Sequence, residues 1–324
     1  MKIVVQKYGG TSVANKEKIS QAIQKIKEKV DEKYSVVVVV SAQGKTTDNL
    51  YNLSAEYASE NKCSRELDML LSTGEMQSAA LVAMALKKAK IDAVALTGAL
   101  AGIVTDSTYG KAEILGVYPE KIKENLALGK VVVVTGFQGI DKYGYISTLG
   151  RGGSDLTAVV LAKVLKADVC EIFSDIDGVY VADPKVVKEA KILEKIRYDE
   201  MLELSTAGAK VLHNGSVIAS HSSDAKLVVR NVGTDAKGTE ILKSKDIYED
   251  TVVKITKKDK LSKVTLVGSG YISKKGKVKE IVDILEEMNI NAYMIQISEI
   301  SISLLVDEDQ AVKVMNTLNM KLNK

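Results

Sequence analysis

In the first part of the chain, short continuous apolar runs alternate with segments whose apolar residues recur at helical spacing. The run Val36–Val40 is typical of a strand that is covered on both faces of a sheet. After Asn15, which is placed as a helix N-cap, apolar residues recur three and four positions apart up to Val30. The predicted strands are residues 3–5, 36–40, 91–96, 131–134 and 169–173, and the predicted helices are residues 16–30, 47–59, 66–89, 118–128 and 155–165. This alternation predicts an α/β domain with a mainly parallel sheet between helices.

The pattern changes in the glycine-containing segment 233–238, after which strands and helices follow in a different order. The later predictions are strands at residues 251–255, 264–267, 291–297 and 301–306, with helices at residues 277–288 and 308–318. This order predicts a small ferredoxin-like unit. We place the boundary within residues 246–250, which gives a larger domain over residues 1–245 and a smaller one over residues 246–324.

Composition narrows the class of protein. The chain has 324 residues, a net charge of +3 and interspersed acidic and basic positions, which argues against a nucleic-acid-binding stripe. Cys63 and Cys170 lie far apart and lack metal-ligand spacing, so reduced thiols are expected. Neither a signal peptide nor an apolar run of membrane-spanning length is visible, so we expect a cytoplasmic protein without a membrane partner.

Two glycine-rich segments carry candidate chemistry. Lys7, Gly9, Gly10 and Thr11 follow the first predicted strand, where glycine N–H groups and a lysine favour an anion site. An ordinary strand-to-helix turn explains the same residues equally well, and the spacing is not that of a Walker A loop. In the second segment, Arg151 lies among three glycines just before Ser154 and Asp155, either of which is a candidate helix cap. Arginine there favours bidentate binding of a carboxylate.

Three weaker signals accompany these segments. Asp175, Gly178 and Tyr180 follow a predicted strand, at the end of a sheet where ligands bind in open α/β folds, although an Asp-Gly turn alone explains them. Glu75 places a carboxylate inside a long apolar helix, where it needs a partner. Lys210 lies in a stretch of small residues and is equally consistent with a solvated lysine.

Together these segments resemble the catalytic domain of aspartokinases, in the amino acid kinase superfamily. The resemblance covers residues 2–242 and rests on KYGGTS, VVVVSAQGKTTDNL, RELDMLLSTGE, VVVVTGFQG, TLGRGGSD, CEIFSDIDGVYVADP and YDEMLELSTAGAKVLH, which occur in this order. It implies the amino acid kinase fold and transfer of the γ-phosphoryl group of ATP to L-aspartate. That reaction gives 4-phospho-L-aspartate, the first step toward lysine, diaminopimelate, threonine and methionine.

The resemblance also implies roles for individual residues. Lys7 is expected to reach the transferring phosphate, and Arg151 to hold the α-carboxylate of aspartate. Glu75 and Asp155 are expected to hold its α-ammonium group or to orient the cationic groups. The expected substrate pocket is lined by Ser41, Thr47, Phe137 and Ser154, and the expected nucleotide contacts are Gly9, Gly10, Thr11, Asp175, Gly178, Tyr180, Lys185 and Lys210. Mg²⁺ is expected as MgATP, with no protein metal site.

The C-terminal segment resembles an ACT regulatory unit, of which aspartokinases usually have two. The chain has room for one, and Lys275–Gly276 stands where the family often has Pro-Gly. We therefore expect a homodimer joined through this unit, with weak or absent inhibition by lysine or threonine. Two alternatives stay open: a related kinase acting on another acid, and an amino-acid-sensing subunit without turnover.

Overall fold

The structure is a computed structural model that describes residues 2–57, 64–184, 187, 189–206, 212–221, 223–243, 252–258, 260–268 and 276–322, with the backbone alone for 252–258. The chain forms two compact units, residues 1–176 with 218–236 and residues 177–217 with 237–324. The predicted boundary within residues 246–250 lies outside the described residues and stays a prediction.

The helices of the described chain are α1 (Lys16–Asp31), α2 (Thr46–Ser54), α3 (Ser64–Lys88), α4 (Glu120–Ala127), α5 (Gly153–Val164), α6 (Tyr198–Thr206), α7 (Asn214–His221), α8 (Lys277–Glu287) and α9 (Glu308–Leu322). The strands are β1 (Ile3–Tyr8), β2 (Ser35–Val40), β3 (Ala93–Leu96), β4 (Ile103–Thr105), β5 (Ile114–Val117), β6 (Val131–Thr135), β7 (Gln138–Ile140), β8 (Ile146–Thr148), β9 (Val169–Ser174), β10 (Lys195–Arg197), β11 (Lys226–Asn231), β12 (Thr239–Leu242), β13 (Val252–Lys258), β14 (Leu261–Val267), β15 (Met294–Ile297) and β16 (Ser301–Asp307). Each strand and helix predicted above has a counterpart here, with ends that differ by a few residues.

The first unit is built on a parallel sheet whose strands run in the order β11-β9-β1-β2-β6-β3. All of Val36–Val40 is buried, because α1 and α3 pack on one face of the sheet and α5 on the other. Side chains alternate between these faces along β1. Val4 and Tyr8 join the core cluster with α1 and α3 residues, whereas Lys7 points toward α5. The predicted parallel sheet between helices is thus confirmed.

A second, smaller sheet of the first unit has the order β5-β4-β7-β8 and was not predicted from the sequence. Its strands contain three or four residues each, too few for a period-two pattern to appear. Strands β7 and β8 pair antiparallel, and β8 ends at Thr148, directly before the segment that carries Arg151.

The second unit contains the parallel pair β10–β12 and a four-stranded antiparallel sheet in the order β13-β14-β16-β15. Helices α8 and α9 pack on this sheet and form its core. Ile281 of α8 and Val314 of α9 are buried together with Val264 of β14 and Leu304 of β16. This arrangement confirms the predicted ferredoxin-like unit.

Helix α3 is long and apolar enough, by length and composition, to cross a membrane. Half of its most apolar window is buried inside the protein, and its carboxylates Asp68 and Glu75 are buried as well. These features are those of a core helix. No other helix in the described part of the chain passes the same test.

Candidate active site

The glycine turn after β1 lies where the carboxyl ends of three central strands meet. The Gly9 N–H donates to the Phe173 carbonyl of β9 at 3.2 Å. A Cβ on Gly10 would lie 2.7 Å from the Ala42 carbonyl oxygen, so that only glycine fits between the two loops. A short 3₁₀ helix, Gly10–Val13, follows, and the first N–H groups of such a helix lack intrahelical partners. The turn therefore has the backbone donors that an anion requires.

A buried ion pair lies beside this turn. Lys7 Nζ is 2.6 Å from Asp155 Oδ1, with side-chain exposures of 11% and 15%. The same Nζ is 3.4 Å from the position that a Cβ on Gly9 would occupy. Lys7 is thus held over the glycine turn, where a cation and backbone N–H groups face one ligand position.

The interpretation of Ser154 or Asp155 as a helix cap is wrong. Helix α5 begins at Gly153, and its N-cap is Gly152 in the left-handed region (φ 72°), without a side-chain cap hydrogen bond. Asp155 lies in the first turn, where its carboxylate is already paired with Lys7. By contrast, the N-cap predicted at Asn15 is confirmed, since its side chain accepts the Lys18 N–H at 2.9 Å.

Behind the turn, the sheet face opposite Lys7 carries a polar network that sequence reasoning missed. Gln6 donates to Glu171 at 2.8 Å, and Arg230 donates to the same carboxylate at 3.0 Å. The rings of Tyr8 and Phe173 stack with centroids 4.8 Å apart. These contacts join β1, β9 and β11, so the strand ends that hold the glycine turn are tied together.

Glu75 is the carboxylate in α3 for which the sequence predicted a partner, and the structure supplies one. It is 3% exposed, and its Oε1 accepts the Ala42 N–H at 2.9 Å. Its Oε2 is buried without a hydrogen-bond partner among the described residues. Burial raises the pKa of Glu75 to about 7, although the Ala42 N–H opposes the shift. An unpartnered buried oxygen of this kind is well suited to a cationic ligand group.

The loop after β2 joins Glu75 to the glycine turn. The Ser41 N–H donates to the Tyr8 carbonyl at 3.1 Å, and the Gly44 N–H donates to the Gly10 carbonyl at 3.0 Å. Thr47, in the first turn of α2, is half-buried. The structure therefore brings Ser41 next to the first glycine segment, and Thr47 follows a few residues later at the start of α2.

Arg151 lies in a loop whose neighbours Gly150 and Gly152 both have φ 72°. The guanidinium is exposed and makes no ion pair with a described residue. Just after it, Ser154 is buried against Gly136, where a Cβ would lie 2.7 Å from the Ser154 Cβ. Phe137 also has a left-handed backbone (φ 71°), and its N–H donates to the Thr157 hydroxyl at 3.2 Å. Phe137 and Ser154 are thus neighbours, and Arg151 is free to bind an anion.

The predicted nucleotide residues fall into both units. In the first unit, Asp175 is exposed just after β9, and its carbonyl accepts the Asn231 side-chain N–H at 3.4 Å. In the second unit, a Cβ on Gly178 would lie 2.6 Å from Thr239 Oγ1, and the Tyr180 hydroxyl donates to Asp177 at 3.4 Å. Two further residues, Lys185 and Lys210, lie outside the described residues, and so does Cys63. Their nucleotide roles stay predictions.

Two buried polar residues that the sequence interpretation overlooked attach the small sheet to α3. Asp68 accepts hydrogen bonds from Thr148 and Gly110, and the Gln138 side chain donates to the Ser72 carbonyl at 3.0 Å. The available signal for Asp68 was its position in α3, two turns before Glu75 and on the same face.

Comparison with known proteins agrees with this geometry. Residues 2–231 match the model of the amino acid kinase family, and residues 264–322 match an ACT domain. The chain is 37% identical to an aspartokinase of Bacillus sp. (strain MGA3), over 98% of this chain and 97% of that protein.

Solved structures give the same picture. Aspartate kinase from Synechocystis is 31% identical, with a TM-score of 0.66 over 99% of this chain and 70% of that chain. Escherichia coli aspartokinase III was solved with lysine and aspartate and with aspartate and ADP. It is 26% and 25% identical in the two structures, with TM-scores of 0.69 and 0.67 over 99% of this chain and 83% of that chain.

The matches also bear on the length of the C-terminal segment. The alignment with the Bacillus protein spans 398 positions, whereas this chain has 324 residues, so that relative contains a segment with no counterpart here. Residues 232–263, between the two matched regions, are fewer than the ACT match itself. The predicted single ACT unit is therefore confirmed, and the chain belongs to the amino acid kinase family, as an aspartokinase with one C-terminal ACT domain.

Proposed function

We propose that this chain transfers the γ-phosphoryl group of ATP to the side-chain carboxylate of L-aspartate. The observation that carries the proposal is the Lys7–Asp155 pair beside the Gly9–Gly10 turn, at the carboxyl ends of the central strands. A cation and backbone donors at this position suit a phosphoryl group in transfer. Aspartate and ADP are bound in one structure of the E. coli relative, which supports both substrates.

The chemistry needs little from the protein beyond positioning and charge. Aspartate's side-chain carboxylate has a reference pKa of about 3.9, so it is ionised at neutral pH and requires no general base. One carboxylate oxygen attacks the γ-phosphorus while the bond to the bridging oxygen of ADP breaks. The product is an acyl phosphate, and no proton is transferred. The main obstacle is repulsion between two anions, which cationic groups reduce.

Substrate recognition follows from the groups that the first unit leaves available. Arg151 holds the α-carboxylate of aspartate as a bidentate partner. The free Oε2 of Glu75 holds the α-ammonium group, while Asp155 orients Lys7. The remaining proposed pocket residues are Ser41, Thr47, Phe137 and Ser154.

The proposed nucleotide contacts include the glycine turn after β1. Gly10 and Thr11 donate backbone N–H groups to phosphate, whereas the Gly9 N–H is already used by the Phe173 carbonyl, so Gly9 is proposed to contact the nucleotide by close approach of its backbone. The remaining proposed nucleotide contacts are Asp175, Gly178, Tyr180, Lys185 and Lys210. The described residues contain no cluster of three or more His, Cys, Asp or Glu that could hold a metal ion. This donor set fits a Mg²⁺ ion that arrives with ATP and is held chiefly by phosphate oxygens. When bound, Mg²⁺ neutralises charge on the phosphates. We place the enzyme in the cytoplasm, because ATP is made and used in that compartment.

The direct test is ADP release by the purified chain with MgATP and L-aspartate, coupled to a spectrophotometric readout. Turnover with aspartate, and trapping of the acyl phosphate by hydroxylamine, are the expected results. Glutamate, N-acetylglutamate and carbamate serve as alternative acceptors in the same assay. Preference for one of them would identify a related kinase, and no turnover with any acceptor would favour a sensing subunit.

The pKa of Glu75 leads to a pH prediction for this function. Burial favours the protonated form in the free enzyme, so the carboxylate that binds the α-ammonium group is lost as the pH falls below about 7. We expect kcat/KM for aspartate to decrease about tenfold per pH unit below that value, at saturating MgATP. The free energy of unfolding depends on pH in the opposite direction. The folded state holds the Glu75 proton more tightly than the unfolded state does, so the free energy of unfolding falls as the pH rises from the unfolded pKa toward about 7.

Glu75→Gln is the matched control, because glutamine keeps the size and one oxygen for the Ala42 N–H but does not titrate. The variant should bind aspartate weakly and lose the acidic limb of the profile. Persistence of the same limb in Glu75→Gln would assign it to the phosphates or to another group.

A homodimer through the ACT domain is the proposed assembly. Strand β15 lies at one edge of its sheet and is exposed along its whole length. Tyr293 and Ile297 at this edge are 62% and 54% exposed. An open apolar edge pairs readily with another strand, and a symmetric dimer is the commonest solution. Ile297→Asp should therefore shift the protein toward the monomer in light scattering at micromolar concentration.

Met320→Asp provides the comparison, since Met320 is 64% exposed on α9 and outside the proposed edge. A monomeric wild-type protein, or a dimer that Ile297→Asp leaves intact, would contradict this assembly. Weak or absent inhibition by lysine or threonine remains a prediction that rests on the single ACT domain.

A further inference from the structure

Helix α3 carries a second buried carboxylate, Asp68, whose exposed fraction is 1%. Asp68 Oδ2 accepts the backbone N–H groups of Thr148 at 2.7 Å and of Gly110 at 2.9 Å. Its Oδ1 accepts the Thr148 hydroxyl at 2.8 Å. Both oxygens are thus engaged by the small sheet and its 107–111 loop, and Asp68 anchors these segments to α3.

The anchored segments border the loop that carries Arg151. Thr148 is the last residue of β8, three positions before Arg151. A Cβ on Gly150 would lie 3.1 Å from the Gly110 carbonyl oxygen, so the 107–111 loop also packs against the arginine loop. With left-handed glycines on both sides and no ion pair to a described residue, Arg151 has few local constraints. The position of Arg151 therefore depends on where Thr148, at the start of its loop, is held.

We propose that Asp68 is a positioning residue for aspartate binding. By holding Thr148 and Gly110 on α3, it sets where the loop presents Arg151. Glu75 lies two turns further along the same helix face. One rigid helix thereby fixes the spacing between the groups for the α-carboxylate and the α-ammonium of one substrate. The inference rests on the proposed function, which assigns these two contacts.

Two substitutions distinguish an anchoring role of Asp68, which depends on its hydrogen bonds, from a role of its negative charge. Asparagine at position 68 keeps one oxygen for the two N–H groups. Its NH₂ group can donate to the Thr148 hydroxyl, because a hydroxyl oxygen accepts hydrogen bonds as well as donating them. Alanine removes every one of these contacts and leaves two buried N–H groups unpaired. The anchor should therefore survive in Asp68→Asn and fail in Asp68→Ala.

We expect Asp68→Ala to raise the KM for aspartate on the order of tenfold to a hundredfold, the scale that misplacement of a binding group produces. The KM for ATP should stay unchanged, because the glycine turn and Lys7 are not held by Asp68. Asp68→Asn should restore the aspartate KM to near the wild-type value. This split between the two substrates, with rescue by the isosteric variant, is not expected of general destabilisation.

Asp141→Ala is the matched control, because Asp141 is a carboxylate of the same small sheet, 4% exposed, with four hydrogen-bond donors of its own. It contacts neither Thr148 nor α3, although two of its donors, Ser107 and Tyr109, belong to the 107–111 loop. Its loss should therefore change the ratio of the two KM values much less than Asp68→Ala does. Thr148→Val and Thr148→Ser give a second pair: valine replaces the hydroxyl that bonds to Asp68 by a methyl group of similar size, whereas serine keeps the hydroxyl and loses the methyl group. We expect a severalfold rise in the aspartate KM for valine and none for serine.

The inference is overturned if Asp68→Ala leaves the aspartate KM unchanged, or if it and Asp141→Ala raise both KM values alike. If Asp68→Ala does not fold, the Thr148 pair decides, and equal aspartate KM values for valine and serine overturn the inference. Failure of the wild-type protein to phosphorylate aspartate is a separate result that refutes the proposed function itself.

Discussion

Lys7→Met is expected to lower kcat about 100-fold or more while the protein stays folded, the scale for losing one preorganised electrostatic group. Lys7 lies beside the glycine turn, where negative charge builds on the transferring phosphoryl group, and Asp155 holds its Nζ at 2.6 Å. Methionine keeps the length and the apolar part of the side chain but removes the charge. The cost should therefore appear mainly in the chemical step, measured as steady-state kcat with both substrates saturating.

Lys25→Met is a closely matched control. Lys25 is 7% exposed against 8% for Lys7, and it is also paired with a carboxylate, Asp235, at 2.7 Å. It lies on α1, on the opposite side of the sheet, so its loss should affect stability and not kcat.

A double variant, Lys7→Met with Asp155→Asn, separates the lost cation from the carboxylate that is left behind. If the double variant remains slow, the missing positive charge is the cause. A near-normal kcat in Lys7→Met would show that Lys7 takes no part in the transition state.

Arg151→Lys should raise the KM for aspartate far more than the KM for ATP. Losing one arm of a bidentate charged contact costs on the order of 1.5–3 kcal/mol, which corresponds to about tenfold to somewhat over a hundredfold in affinity. Lysine keeps the charge but presents a point charge where the guanidinium presents a planar fork. Because Arg151 is exposed and has no ion pair with a described residue, the substitution should not disturb folding.

Arg65→Lys is the comparison for this experiment. Arg65 is another exposed arginine, engaged by Glu66 and by the ring of Tyr145, with its Cζ 4.5 Å from the ring centroid. The substitution Arg65→Lys should have little effect on the KM for aspartate or on the KM for ATP. An aspartate KM that is unchanged in Arg151→Lys would remove the arginine from the substrate site and leave it as a solvated loop residue.

Much of this molecule was predictable from the sequence, because local patterns record burial and backbone conformation. The all-valine run Val36–Val40 predicted a strand covered on both faces, and all five residues are buried. Asn15 predicted a helix start that its side chain caps. Glu75 stood out as a charge in an apolar helix, and the structure gives it the expected partner. The chemically important segments were visible for the same reason, since clustered glycines cost conformational entropy and are favoured where the backbone needs a positive φ or a close approach.

Only the tertiary structure determines which of these side chains contact one another. Local position alone makes either Ser154 or Asp155 a candidate helix cap, but strand order places β1 beside α5, so that the Asp155 carboxylate pairs with Lys7 instead. Asp68 and Thr148 are 80 residues apart, and no local pattern relates them. The strands of the small sheet are too short to produce a periodic signal, although they set the start of the Arg151 loop. Periodicity reports which face of an element is buried, whereas the partner on that face depends on the order in which distant elements pack.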